Sequence, residues 1–234
     1  MADTRRRAAL TLTASYVVIL LTLLAAGWLL THPWERAVDP RDDDVVRWFA
    51  DRRTADLDPL AAGAAHLADT WVGVVVALVV AAAVARWRRT WLPVVYLAVL
   101  MVGHHSLYVI ATALVPRDRP PVRILDPGLV PDHSFPSGHT GTSVILYGGA
   151  ALLLGWAAPG LRRWVWPLLL VPLVVVPARL YQGAHHPTDV LAALLYAAAW
   201  LAVVSHVLLV APAGADRAGR EPAPGRVGQP VTDP

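Results

Sequence analysis

Residues 136–156 read Pro136-Ser137-Gly138-His139-Thr140-Gly141-Thr142-Ser143, then run from Val144 to Trp156 in aliphatic, glycine and aromatic residues only. Small polar and titratable residues thus lead directly into a stretch suited to crossing a bilayer, which takes about 20 apolar residues. Five further segments share that character, near Ala8–Leu30, Leu60–Ala85, Trp91–Val115, Trp164–Leu180 and Pro187–Val210. With His139–Trp156 they predict an all-α integral membrane bundle of six transmembrane helices. Pro167, Pro172 and Pro177 interrupt the fifth segment. Proline is tolerated in a membrane helix where neighbours satisfy the freed carbonyls, so a kinked span is expected there.

Composition agrees with a membrane protein. Of 234 residues, 56% are hydrophobic and 16% charged, against about 25% charged in a soluble domain. The absence of cysteine excludes disulfides, a thiolate nucleophile and a cysteine-type metal site. All 20 basic residues are arginine. The net charge of +3 comes from loops and tails rather than from a patch suited to nucleic acid.

Arginines in short loops set the expected orientation. Arg5, Arg6 and Arg7 precede the first span, Arg86, Arg88 and Arg89 follow the second, and Arg162 and Arg163 follow the fourth. These clusters fall on one side, expected to be the cytoplasm of a cell membrane, with both termini there. The first segment is too long, and lacks a small-residue cleavage site, for a removable signal peptide. Residues 1–210 are read as one membrane domain, and 211–234, rich in Gly, Pro and Ala, as a disordered cytoplasmic tail. Within about 40–58, an amphipathic helix is expected at the interface, with the Asp42-Asp43-Asp44 run as its cap.

The loops on the opposite face carry Arg119-Pro120, then Pro136-Ser137-Gly138-His139, then Arg179, His185 and Asp189. Phosphoryl transfer needs positioning and positive charge. Arg119 and Arg179 can each fork two hydrogen bonds to phosphate oxygens. Ser137 can donate its hydroxyl, and Gly138 lets a backbone N–H approach at a helix start, where anions are favoured. His139 suits general acid work toward a leaving oxygen. His185 is the candidate nucleophile, and Asp189, one helical turn on, can accept from its far ring nitrogen.

Arg-Pro, Pro-Ser-Gly-His and Arg-x5-His-x3-Asp in this order resemble the type 2 phosphatidic acid phosphatase (PAP2) superfamily, over about Ala111–Asp189. The resemblance implies a lipid phosphate or diphosphate substrate, such as phosphatidic acid or undecaprenyl diphosphate. It also implies a phosphohistidine intermediate and no metal or other cofactor. By position His185 would be the nucleophile, Asp189 its partner and His139 the acid that later activates water. Arg119, Ser137, Gly138 and Arg179 would hold phosphate. Two positions depart from the pattern. Thr112 stands where the family's first motif begins with lysine, and Ala178 where its third begins with serine. Arg117 is the expected substitute for the lysine. A lipid phosphotransferase using the same intermediate, and a catalytically silent membrane scaffold, are the alternative readings.

Several other groups have plainer expectations. His186 lies three residues before Asp189 rather than four, so His185 is preferred for attack. His104 and His105, mid-span, are expected to hydrogen-bond between helices. Asp132 and His133 are read either as shaping the mouth of the site or as an exposed loop pair. His66 and Asp69 are read as a solvated helix end. Trp71, Trp91 and Trp164 are read as interfacial anchors.

Overall fold

The computed structural model describes residues 2–210. Those residues are mostly helical, and their only β-type pairing is an isolated bridge between Arg117 and His133. Helix α1 covers Ala2–Thr31, α2 Glu35–Ala50, α3 Leu57–His66, α4 Thr70–Arg88 and α5 Leu92–Leu114. Three further helical spans, α6 (Gly138–Ala157), α7 (Pro159–Tyr181) and α8 (Pro187–Val210), complete the bundle. Six helices, α1 and α4 to α8, are long and apolar enough to cross a membrane.

Local sequence explains the irregular spans. In α7, 3₁₀ turns at Pro159–Leu161 and Trp166–Leu170 precede the regular helix Val171–Tyr181. Pro167 lies in the second of these turns, where a missing N–H is cheapest, so the span is interrupted where the prolines fall. In α6 the regular helix widens to a π-turn at Val144–Gly148 before resuming at Gly149.

Two boundaries differ from the hydropathy reading. The second span begins at Thr70, not near Leu60. Asp69 is extended (φ −60°, ψ 145°) and breaks the apolar run, leaving α3 as a separate short helix packed on α7. Hydropathy registers composition and is blind to such a backbone break. The amphipathic helix expected within about 40–58 begins at Glu35, with Trp34 at its N-cap and no side-chain cap bond. The aspartate run is therefore inside this helix. Asp42 and Val46 face inward, and Val46 packs with Leu180 and Val190.

The core joins α1, α5, α6 and α8 through Leu23, Tyr96, Leu100, Leu107, Ile145 and Trp200. Gly103 sits against the Trp200 indole, a close helix approach of the kind small residues permit in membranes. His104 bridges helices as expected, with Nε2 at 3.0 Å from Thr142 Oγ1 and Nδ1 at 3.0 Å from the Tyr196 hydroxyl. Trp71, Trp91 and Trp164 are exposed on the surface of the bundle.

Chain order brings the chemistry to one end. The C-terminal ends of α5 and α7 and the N-terminal ends of α4, α6 and α8 lie together there. The arginine clusters belong to the other end.

Candidate active site

Ser137 starts α6 as its N-cap, with Thr140 N–H 3.5 Å from its Oγ and the Thr140 hydroxyl at 2.9 Å. Gly138 lies under the Tyr108 ring, where a Cβ would come within 3.0 Å of Cε2. Its lack of a side chain is therefore a packing need here as well as a route for a backbone amide. His139, one residue on, places Nε2 at 3.0 Å from Asp69 Oδ1. Asp69 also meets His66 Nδ1 through its other oxygen. The reading of Asp69 as a solvated helix end is thus corrected: it faces a motif histidine. Burial pushes its carboxyl up, but hydrogen bonds with His66 and His139 outweigh this and hold it below the ordinary carboxylate range.

His185 lies in the tight connection between α7 and α8, only 4% exposed. Its Nδ1 is 2.7 Å from the Ser134 carbonyl. A carbonyl can only accept, so Nδ1 carries the hydrogen and Nε2 keeps its lone pair. Burial, then the charges of Arg179 and Arg119, push the His185 imidazole well below its ordinary value.

Asp189 is wholly buried, and its place differs from the expectation. Its Oδ2 accepts from the Ser134 hydroxyl at 2.6 Å and from the His186 backbone N–H at 2.8 Å. Its Oδ1 accepts from Arg117 Nη1 at 2.6 Å. The direct bond to His185 is absent because a backbone carbonyl already takes that ring nitrogen. His186 is pinned instead, Nδ1 at 3.3 Å from Asp189 and Nε2 at 3.5 Å from Asp43. His186 is thus held between two carboxylates as the N-cap of α8, whereas His185 keeps Nε2 clear of such a pair.

The three arginines have different surroundings. Arg179 is fully buried. Its Nη1 donates to Asp126 Oδ2 and Gln182 Oε1, each at 2.7 Å, while Nε and Nη2 are buried without a partner among the described residues. Arg119 gives its nitrogens to backbone carbonyls of Val130, Ala184 and His133. Among the described residues no carboxylate is paired with it, so its charge is left to act on the site. Arg117 differs again: Nη1 bonds Thr188 and Asp189, and Nη2 bonds Asp39 and Asp42. Burial would lower its pKa, but Asp189 and Asp39 outweigh that and raise it. The fork expected to take the missing lysine's place on phosphate thus meets carboxylates through Nη1 and Nη2, and Nε alone is buried without a partner among the described residues. Asp42 is likewise no cap. Thr112 is buried, its hydroxyl donating to the Phe135 carbonyl at 3.2 Å, which supports the loop entering α6. Asp132 and His133 form a loose pair, 3.8 Å apart, at the loop surface, and the loop's work is done by backbone, including the His133 carbonyl on Arg119.

The motifs pointed to neither Asp69 nor Ser134 nor Asp126. Ser134, two residues before Pro136, was the nearest to a readable signal.

The fold and site define an α-helical, multi-pass membrane protein with a cationic, histidine-bearing site at one end of its bundle. The PAP2 superfamily model matches residues 91–211, and the chain belongs to that superfamily. It is a phosphoric ester hydrolase of the membrane-embedded kind. The structure resembles the crystal structure of "the first transmembrane PAP2 type phosphatidylglycerolphosphate phosphatase from Bacillus subtilis", with TM-score 0.72 and 21% identity, covering 88% of this chain and 98% of that one. None of the curated proteins compared with the chain matches it.

Proposed function

We propose that the chain hydrolyses a lipid phosphate or diphosphate, without a metal, through a phosphohistidine on His185 at the extracytoplasmic face of the cell membrane. The observation that carries this reading is Arg179, whose Nε and Nη2 are buried with no acceptor among the described residues while its charge acts on His185. A buried guanidinium with two free donors is costly unless an anion completes it. A phosphoryl group supplies matching oxygens for a bidentate contact.

The reaction follows from the tautomer. His185 Nε2 attacks phosphorus as the ester P–O bond breaks, and His139 gives a proton to the leaving oxygen. His139 then takes a proton from water, whose oxygen attacks the phosphohistidine. Inorganic phosphate leaves and His185 returns to its neutral form. Asp69 accepts from His139 Nε2 and supports the ring while it carries charge. Arg119 and Arg179 offset the charge that develops on the equatorial oxygens, with Ser137 and Gly138 at the helix start beside them. The arginine clusters at the far end support a cytoplasmic assignment for that end, and hence an extracytoplasmic site.

The test is phosphate release by purified protein in detergent with EDTA. The panel should include phosphatidylglycerol phosphate, phosphatidic acid and a polyprenyl diphosphate. Release from at least one lipid, abolished in His185→Ala, is expected. Equal, background release by both proteins across the panel would leave a silent scaffold as the better reading.

A further inference from the structure

Ser134 has no exposed surface and lies outside the three motifs, yet it touches both residues of the third motif's histidine–aspartate pair. Its hydroxyl donates to Asp189 Oδ2 at 2.6 Å and its carbonyl accepts from His185 Nδ1 at 2.7 Å. Its own backbone N–H donates to the Arg117 carbonyl at 3.0 Å. From Asp189 the bonding continues outward, through Oδ1 to Arg117 Nη1 and through Arg117 Nη2 to Asp39 and Asp42 of α2. Thr188 closes a side branch, accepting from Arg117 and donating to Asp42. The buried members of this chain come from α2, the α5–α6 loop, the α7–α8 connection and the start of α8.

We propose that Ser134 is the positioning residue of the nucleophile, passing to His185 the placement that Asp189, Arg117 and Asp42 fix, so that α2 belongs to the attack geometry. The proposal rests on the reading of His185 as nucleophile. The physical reason is that an imidazole held by one carbonyl is only as well placed as that carbonyl. The Ser134 carbonyl is fixed because its side chain and N–H are both tied to the Asp189–Arg117 unit. Removing the hydroxyl keeps the carbonyl but frees it to shift, and a shift of about 1 Å can cost on the order of 100-fold in rate. Asp42 acts further off, as one of the carboxylates that hold the Arg117 fork in plane.

The experiment compares the wild-type full chain with Ser134→Ala and Asp42→Asn in detergent. It reads kcat, KM, melting temperature and the single-turnover rate of ³²P transfer from a labelled lipid phosphate to His185. Both variants should lower kcat and the labelling rate about 10–100-fold, as a displacement of up to about 1 Å would, with KM within about twofold. A merely structural role would lower the melting temperature while each folded molecule is labelled at the wild-type rate, and that result overturns the proposal. If Ser134→Ala does not fold, Asp42→Asn decides by the same readings. Wild-type protein that releases phosphate without ever labelling His185 overturns the nucleophile reading and this proposal with it. Normal wild-type labelling with unaffected variants overturns this proposal alone.

Discussion

Asp126 takes one nitrogen of Arg179 and leaves two: its Oδ2 is 2.7 Å from Nη1, while Nε and Nη2 have no acceptor among the described residues. The carboxylate aims the guanidinium and at the same time opposes any anion that docks beside it. Substitutions at the two residues should therefore move anion affinity in opposite directions. Arg179→Lys removes the fork, a loss of one charge-assisted contact of about 1.5–3 kcal/mol, so inhibition by vanadate or inorganic phosphate should weaken about 10–100-fold. Asp126→Asn keeps the reach but removes the negative charge, and inhibition should tighten. Inhibition constants measured on a soluble phosphate ester check both.

Arg117→Ala should act on stability before chemistry. The substitution leaves Asp42 and Asp189 buried without their cation, a change of about 3–5 kcal/mol in comparable buried pairs. A large fall in melting temperature in detergent is expected, against little change for Arg123→Ala. Adding Asp42→Ala to Arg117→Ala should recover part of the loss, because one uncompensated charge is removed. A double-mutant cycle of melting temperatures reads this coupling.

The pH dependence has a definite sign. The folded His185 titrates well below its ordinary 6.5, so it stays neutral, and able to attack, as the pH falls past that value. Any acid limb of kcat/KM that belongs to His185 should lie below pH 6.5. For stability, the unfolded chain takes up this proton first. The contribution of His185 is complete above about 6.5 and is lost as the pH drops from there toward the folded value. Melting curves between pH 5 and 8 should show stability falling on the acid side, with a smaller slope in His185→Ala.

Helix packing offers a matched pair of glycine tests. A Cβ on Gly103 would lie 2.5 Å from the Trp200 indole, while one on Gly63 would meet nothing within 4 Å. Gly103→Ala should destabilise by about 1–3 kcal/mol through overpacking. Gly63→Ala, inside α3, should be neutral or stabilise by about 0.5–1 kcal/mol. Thermal melting in the same detergent separates them.

Much of the fold was legible because spans leave a local signature, and α5 and α8 appear almost where their apolar runs begin and end. The motif histidines were legible because catalytic residue types recur at fixed spacing on helix ends. What escaped has one cause. Asp69 with His139, Asp42 with Arg117 and Ser134 with Asp189 are pairs between segments distant in the chain, and neither partner carries a mark of the other. Asp69 also hides the break before α4, since its extended backbone leaves hydropathy unchanged. The surroundings of Arg117 escaped for the same reason: its nearness to Arg119 in sequence said nothing of the carboxylates that α2 brings to it.

The π-turn at Val144–Gly148 has a consequence for how the fourth span can vary. An α-helix advances about 100° per residue, and a π-turn accommodates a residue more than that winding would. The half of α6 that bears His139 and the half that starts at Gly149 are therefore out of rotational phase by about one residue. Losing a single residue between them would let the helix rewind and swing one half around the axis, setting the seating of His139 against the packing of Gly149 beside Leu100. Along this stretch, chain length is as much a determinant of the site as side-chain identity.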